Sequence, residues 1–317
     1  MNHLIAAELL ALLRPADPQL FYQRGDPNDP RLGELIDYTG DHLEDAHVVI
    51  IGCPQDEGVR RNRGRVGAAL APAEIRRCLT RLGTAGLEHL RIVDLGDVLL
   101  GETLEATHQH LRMVVAGILA TGKRVIVLGG GNDISYPDCA GVVDACGDTL
   151  AFNIDAHLDV RADQPRNSGT PYRQLLNEGL IRPTSFYELG MQPYANAAVY
   201  VQYLRQIGAT VIDAEQLRVS GVEAHLQAIL SRHHEMAIFW GVDLDVVHVA
   251  DAPGVSAPNI LGLSGAELCR IAALAGAQPH TRLLELSEVN PLYDIDQRTS
   301  RLAALAIWHF LAALEDV

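Results

Sequence analysis

The chain has 317 residues, is 48% hydrophobic, and carries a formal net charge of −15, so it can bury a large core but is a poor match for nucleic acid or an anionic membrane surface. Its five cysteines are scattered without zinc-finger spacing, no apolar run approaches a membrane span, and the first residues lack the basic start of a signal peptide. The expectation is a soluble, cytoplasmic protein with reduced thiols.

In chain order, residues 1–45 open on a short amphipathic helical pattern. They then become turn-rich, because Pro15, Pro18, Pro27 and Pro30 break any long element. They read as a leader wrapped over the surface of a domain at 46–317. A buried strand follows at 48–52, and 56–67 reads as a charged loop too rich in glycine to be helical. Pro72 opens a helix through Leu82. Strands are expected at 90–95, 124–128, 150–154, 184–190, 209–212, 237–242 and 281–286. Helices are expected at 107–120, from 171, and at 195–207, 221–232, 264–275 and 297–314. About eight strands alternating with helices, with no repeat or linker, describe a single-domain α/β fold. Its sheet is mostly parallel, with helices on both faces.

Two strands end in acids. The run 149–154 leads into Asp155, His157 and Asp159, which alternation along a strand would project to one side. The run 236–242 leads into Asp243 and Asp245. Carboxylates and an imidazole grouped at the C-terminal ends of apolar strands are costly to bury without a cation. The set therefore reads as a metal site of oxygen and nitrogen donors, and it contains no cysteine for a thiolate zinc site. Such a set could hold two divalent ions ~3.5–4 Å apart and activate water at neutral pH. Three glycines at 129–131 allow close backbone approach, and Asn132 or Asp133 could add an oxygen ligand. Glu288 puts one more carboxylate on the same rim. Arg60, Arg61, Arg63 and Arg65 give an acidic chain local guanidinium groups, suited either to carboxylate ligands or to structural ion pairs. His108, His110, His233, His234 and His280 read mostly as surface or helix residues.

Taken together, Gly-Gly-Gly-Asn at 129–132, Asp-Ala-His-Leu-Asp at 155–159, Asp-Leu-Asp at 243–245 and Glu-Val-Asn-Pro at 288–291 resemble the ureohydrolase family of arginases, agmatinases and formimidoylglutamases. The resemblance runs from about residue 47 to 310 and implies an arginase-like fold with two Mn2+ ions per chain. It implies metal ligation by Asn132, Asp155, His157, Asp159, Asp243 and Asp245, with Asp155 and Asp243 bridging. A hydroxide between the ions would attack an amidine or guanidine carbon, Asp245 would be a proton acceptor, and Glu288 would hold the substrate's amidinium. The family usually has His where this chain has Asn132, a weaker neutral donor, so that metal position is expected to bind weakly. Arginases and agmatinases have His in place of Ser168, which points away from guanidine hydrolysis. The stretch 56–67, Ser-Gly-Thr-Pro-Tyr at 168–172 and 252–258 look most like the formimidoylglutamase branch. That branch acts on N-formimino-L-glutamate, in histidine degradation. Arg60, Arg61, Arg65, Asn167 and Ser168 would then bind substrate, and a homotrimer or hexamer is expected. The alternatives are another ureohydrolase, or a metal-poor homologue without catalysis.

Overall fold

Strands such as Val48-Val-Ile-Ile are apolar on both faces, the composition of a strand covered by helices on each side. The structure, a computed structural model, describes residues 5–314. Its strands are β1 (Leu13–Arg14), β2 (Val48–Gly52), β3 (Ile92–Val98), β4 (Arg124–Leu128), β5 (Thr149–Ile154), β6 (Phe186–Met191), β7 (Thr210–Asp213), β8 (Ala237–Asp243) and β9 (Thr281–Ser287). They form one sheet in the order β1-β3-β2-β4-β9-β8-β5-β6-β7. The eight expected strands are β2 to β9, and all pair in parallel. Alternation along β2 sends Val48 and Ile50 to one apolar cluster and Val49 and Ile51 to another. The first cluster takes in helices Ala71–Leu79, Gly265–Ala277 and Arg298–Ala312. The second takes in Leu104–Leu119, Ser135–Cys146 and Ala198–Ile207. No described helix is long and apolar enough to cross a membrane.

The structure departs from the sequence-based expectation in several places. The N-terminal residues supply β1, paired antiparallel to β3, and bury Leu20, Phe21, Leu32 and Ile36 in the core. The stretch read as a loop at 56–67 carries a short helix, Glu57–Arg61. Glu57 pairs with Arg60 and Arg61 one turn further on. Gly58 helps the helix seat, because its bare Cα packs against the Asp133 side chain, where a Cβ would collide. The turn after β4 passes at once into the helix Ser135–Cys146, with Pro137 in the first turn, where a missing N–H costs no helical bond.

Candidate metal centre and active site

Four neighbouring strands, β4, β9, β8 and β5, finish in one row. Leu128, Leu286, Val242 and Ile154 lie opposite one another in the ladder. The chain therefore leaves the sheet side by side at four C-terminal ends, the edge where open α/β sheets bind ligands. Asn132 follows β4, Glu288 follows β9, Asp243 and Asp245 close β8, and Asp155, His157 and Asp159 follow β5.

The acids converge through turns, not through strand alternation. β5 stops at Ile154, and the His157 N–H donates to Asp155 Oδ1 at 2.7 Å. Asp159 then takes a φ of 45°. At β8 the Asp245 N–H donates to Asp243 Oδ1 at 2.8 Å. An Asp side chain that accepts the N–H two residues on closes a tight turn, which sends the next acid back over the strand end. On the opposite side Glu288 has a φ of 62°, rare for a residue with a Cβ, and its Oε1 accepts the Asn132 N–H at 3.0 Å.

Ligand-type atoms of Asp155, His157 and Asp245 lie within 4.8 Å of one another, as do those of Asp155, Asp159 and Asp243. Asp155 belongs to both triads. Burial pushes the Asp155 and Asp243 carboxyls well above the usual carboxylate range, and the neighbouring Asp245 adds to both. Burial also raises Asp159 to about 6 and Glu288 to about 8. The charge of Asp245 pulls His157 well above its ordinary value. Asp245 Oδ1 and Glu288 Oε2 are buried without a hydrogen-bond partner among the described residues. Crowded acids with orphaned oxygens are relieved by a bound cation, and carboxylates with one imidazole suit a divalent ion. The residues present fit such a metal. A cavity of about 170 Å³ reaches His157, Asp159, Asp243, Asp245, Asn132 and Glu288, and is also lined by Asn62, Arg161 and Ser168.

The profile of the Arginase family matches residues 46–313. This chain belongs to the arginase family. The formimidoylglutamase of Klebsiella pneumoniae subsp. pneumoniae is 39% identical over 269 residues, covering 82% of this chain and 84% of the relative. Among solved structures, Trypanosoma cruzi formiminoglutamase with Mn2+ is similar with a TM-score of 0.85 at 36% identity, over 90% of this chain and 98% of that one. Formimidoylglutamase from Bacillus subtilis is similar with a TM-score of 0.86 at 26% identity, over 96% and 97% of the two chains.

In this arginase-family site the Asn132 amide oxygen accepts from Ser135 Oγ at 2.9 Å and Ser287 Oγ at 2.8 Å. Its amide nitrogen faces Asp159 Oδ2 at 2.5 Å and Asp155 Oδ2 at 3.3 Å. The two serine hydroxyls can accept as well as donate, so a flipped amide would keep its partners while turning its oxygen to the acids. Asp133 is turned away from the cluster. Its Oδ2 meets Gln55 Nε2 at 2.8 Å and His108 Nε2 at 2.7 Å. His108 is on a helix, but it is buried and pairs with this acid.

Within the stretch 56–67, Arg60, Arg61, Arg63 and Arg65 do not line the cavity. Arg60 is 65% exposed and grips Glu57, and Arg61 is held by Glu57, Glu105 and the Arg166 carbonyl. Arg65 donates to the carbonyls of Val255 and Ser256 and lies over the Tyr293 ring. Asn167 is buried and shapes its own turn, accepting the Gly169 N–H at 2.9 Å, while Ser168 beside it does face the cavity. The lining residues that sequence reasoning missed are Asn62, Gly64, Arg161, Ser256 and Ala257. The one available signal for Arg161 was its place two residues past Asp159, a cation beside an acidic triplet.

Proposed function

We propose that this chain is a manganese-dependent formimidoylglutamase. It would hydrolyse N-formimino-L-glutamate to L-glutamate and formamide. The observation that carries the reading is the crowd of four acids, Asp155, Asp159, Asp243 and Asp245, gathered with His157, buried or half-buried, beside a cavity that four of these five residues line. Relatives named for this activity support the substrate, and the Mn2+ in the T. cruzi structure supports the metal. Asp155 and Asp243 would be shared between two ions, with Asp159 serving one and His157 and Asp245 the other. Bound there, a pair of divalent ions supplies a hydroxide nucleophile at neutral pH and offsets developing negative charge.

The chain's own groups then have distinct tasks. Glu288 Oε2, buried and unpaired, would hold the cationic amidinium at the reacting end. Asp245 Oδ1, also unpaired, would accept a proton as water adds to the formimino carbon. The bond from that carbon to the glutamate nitrogen breaks, and the leaving amine takes up a proton. Asn132 steadies Asp159 through its amide nitrogen. In that orientation it offers no oxygen to a metal, so one position would bind manganese more weakly. We place the reaction in histidine degradation, in the cytoplasm, carried out by a homotrimer or hexamer.

The test is hydrolysis of N-formimino-L-glutamate by manganese-loaded protein, with metal counted on the same sample. Turnover with about two ions per chain is the expected result. Full metal loading without turnover of this substrate, or preferential turnover of agmatine or arginine, would reject it.

A further inference from the structure

One wall of the cavity is a seam where three loops meet. Gly64 comes from the stretch after the helix Glu57–Arg61, Ser256 and Ala257 from the loop after β8, and Glu288 from the end of β9. Gly64 and Ser256 are in contact there, because a Cβ on Gly64 would collide with Ser256 Oγ. Arg65, the next residue, joins all three loops. Its backbone N–H donates to Ser256 Oγ at 3.0 Å, its Nε to the Ser256 carbonyl at 3.0 Å and its Nη2 to the Val255 carbonyl, 190 residues away in sequence. Its own carbonyl accepts from Asn290 Nδ2 at 2.8 Å, and its guanidinium lies 4.4 Å from the centre of the Tyr293 ring. The buried Asn290 completes the circuit, with Nδ2 also donating to the Val66 carbonyl at 3.1 Å and its backbone N–H donating to the Gly254 carbonyl at 2.7 Å. Glu288 stands just before this anchor with a φ of 62°, a conformation that lasts only where the surroundings impose it.

We propose that Arg65 is a positioning residue for the reaction: it stitches the three loops together and so holds Glu288 where it receives the cationic end of the substrate, while making no contact with substrate itself. This rests on the hydrolase reading above. The carbonyls of Val255 and Ser256 lie in irregular backbone, so their acceptors have to be satisfied from another segment. A guanidinium suits that task, because Nε and Nη2 donate side by side to the two carbonyls while the flat face rests on a ring. A lysine ammonium in its place is a compact charge with neither the fork nor the flat face. Loosening the seam would let Glu288 relax toward ordinary backbone angles and carry its Oε2 away from the cavity. The amidinium is cationic before it reacts, so the loss would fall on substrate binding more than on the chemical step.

The test compares manganese-loaded wild type with Arg65→Ala, Arg65→Lys and Tyr293→Leu, each checked for bound metal by elemental analysis. Steady-state kinetics on N-formimino-L-glutamate are read beside amide hydrogen exchange. In Arg65→Ala, KM is expected to rise about 10-fold at unchanged metal content, with kcat changed by less than about 3-fold. Exchange is expected to quicken about 10-fold in 252–258 and 288–293 while β4, β5, β8 and β9 keep their protection. Arg65→Lys is expected to recover little of either. Tyr293→Leu, which leaves the hydrogen bonds of the seam in place, is expected to shift both in the same direction by about 3-fold and serves if Arg65→Ala does not fold. Unchanged KM and exchange overturn the proposal. So does a fall in kcat at unchanged KM, the mark of a smaller folded fraction, and so does full recovery in Arg65→Lys, since charge alone would then suffice. A loss that appears only together with lost manganese also overturns it, because Arg65 would then be acting on the metal cluster. If wild type does not hydrolyse this substrate, the proposed function fails, and hydrogen exchange in the variants alone decides the seam.

Discussion

Asp155 sits where both ligand triads meet, fully buried, with Asp245 and Asp159 raising the cost of its charge. Replacing it by Asn should act in opposite directions on the two forms of the protein. Without metal, Asp155→Asn removes a buried like charge and should stabilise the fold by ~1–2 kcal/mol, as neutralising a poorly compensated buried acid does. With manganese, the same change deletes the shared ligand, and turnover should drop by ~10³-fold or more, because both metal positions lose a donor. Thermal melts with and without manganese, beside a turnover assay, separate these effects. Equal destabilisation of both forms would mean that Asp155 serves packing and not metal.

Two elements hold the site's surroundings in place. The helix Ala71–Leu79 carries Arg76, which is buried and donates to Asp94 at 2.7 and 2.9 Å, to Asp97 at 2.6 Å and to the Gly96 carbonyl at 2.9 Å. Breaking a buried pair leaves uncompensated charge, so Arg76→Ala should cost ~3–5 kcal/mol in urea unfolding. The combined neutral replacement of Arg76, Asp94 and Asp97 should recover much of that loss; failure to recover would show that the guanidinium acts mainly by filling space. The short helix Glu57–Arg61 carries Gly58 against Asp133 and leads to Asn62 in the cavity wall. Gly58→Ala should force the helix outward, costing ~1–3 kcal/mol, as overpacking does. It should also raise KM more than it lowers kcat, because Asn62 would shift with the helix. Steady-state kinetics at several substrate concentrations would check this, and unchanged KM would show that the loop absorbs the strain.

The centre draws on β4, β5, β8 and β9, so metal binding should stabilise the molecule as a whole. An ion that binds only the native state at about 100 times its Kd adds about 2.7 kcal/mol. Chelation should therefore lower the melting temperature of wild type, and added manganese should restore it. The shift should be largely absent in Asp155→Asn. A melting temperature indifferent to chelator would contradict the metal reading at its root.

The sheet was legible from residue order because its strands are unbroken apolar runs, and burial on both faces needs only that composition. The acids were legible because a charged cluster at the end of such a run has no cheap structural use. The turn geometry was not. Asp155 and Asp243 each close a tight turn with their own side chains, a choice the strand pattern does not contain. Nor could the sequence order show which arginine meets the cavity. Arg60, Arg61 and Arg65 share a dense motif yet are taken up by Glu57, Glu105 and backbone carbonyls, while the solitary Arg161 faces the acids. The strand order β4-β9-β8-β5 brings Asn132 within hydrogen-bond reach of Glu288, 156 residues away. Composition selects what each segment becomes, because that is a local matter of burial and backbone propensity. Which side chains face one another across the centre depends on packing between distant segments, and that is settled only when the whole chain has folded.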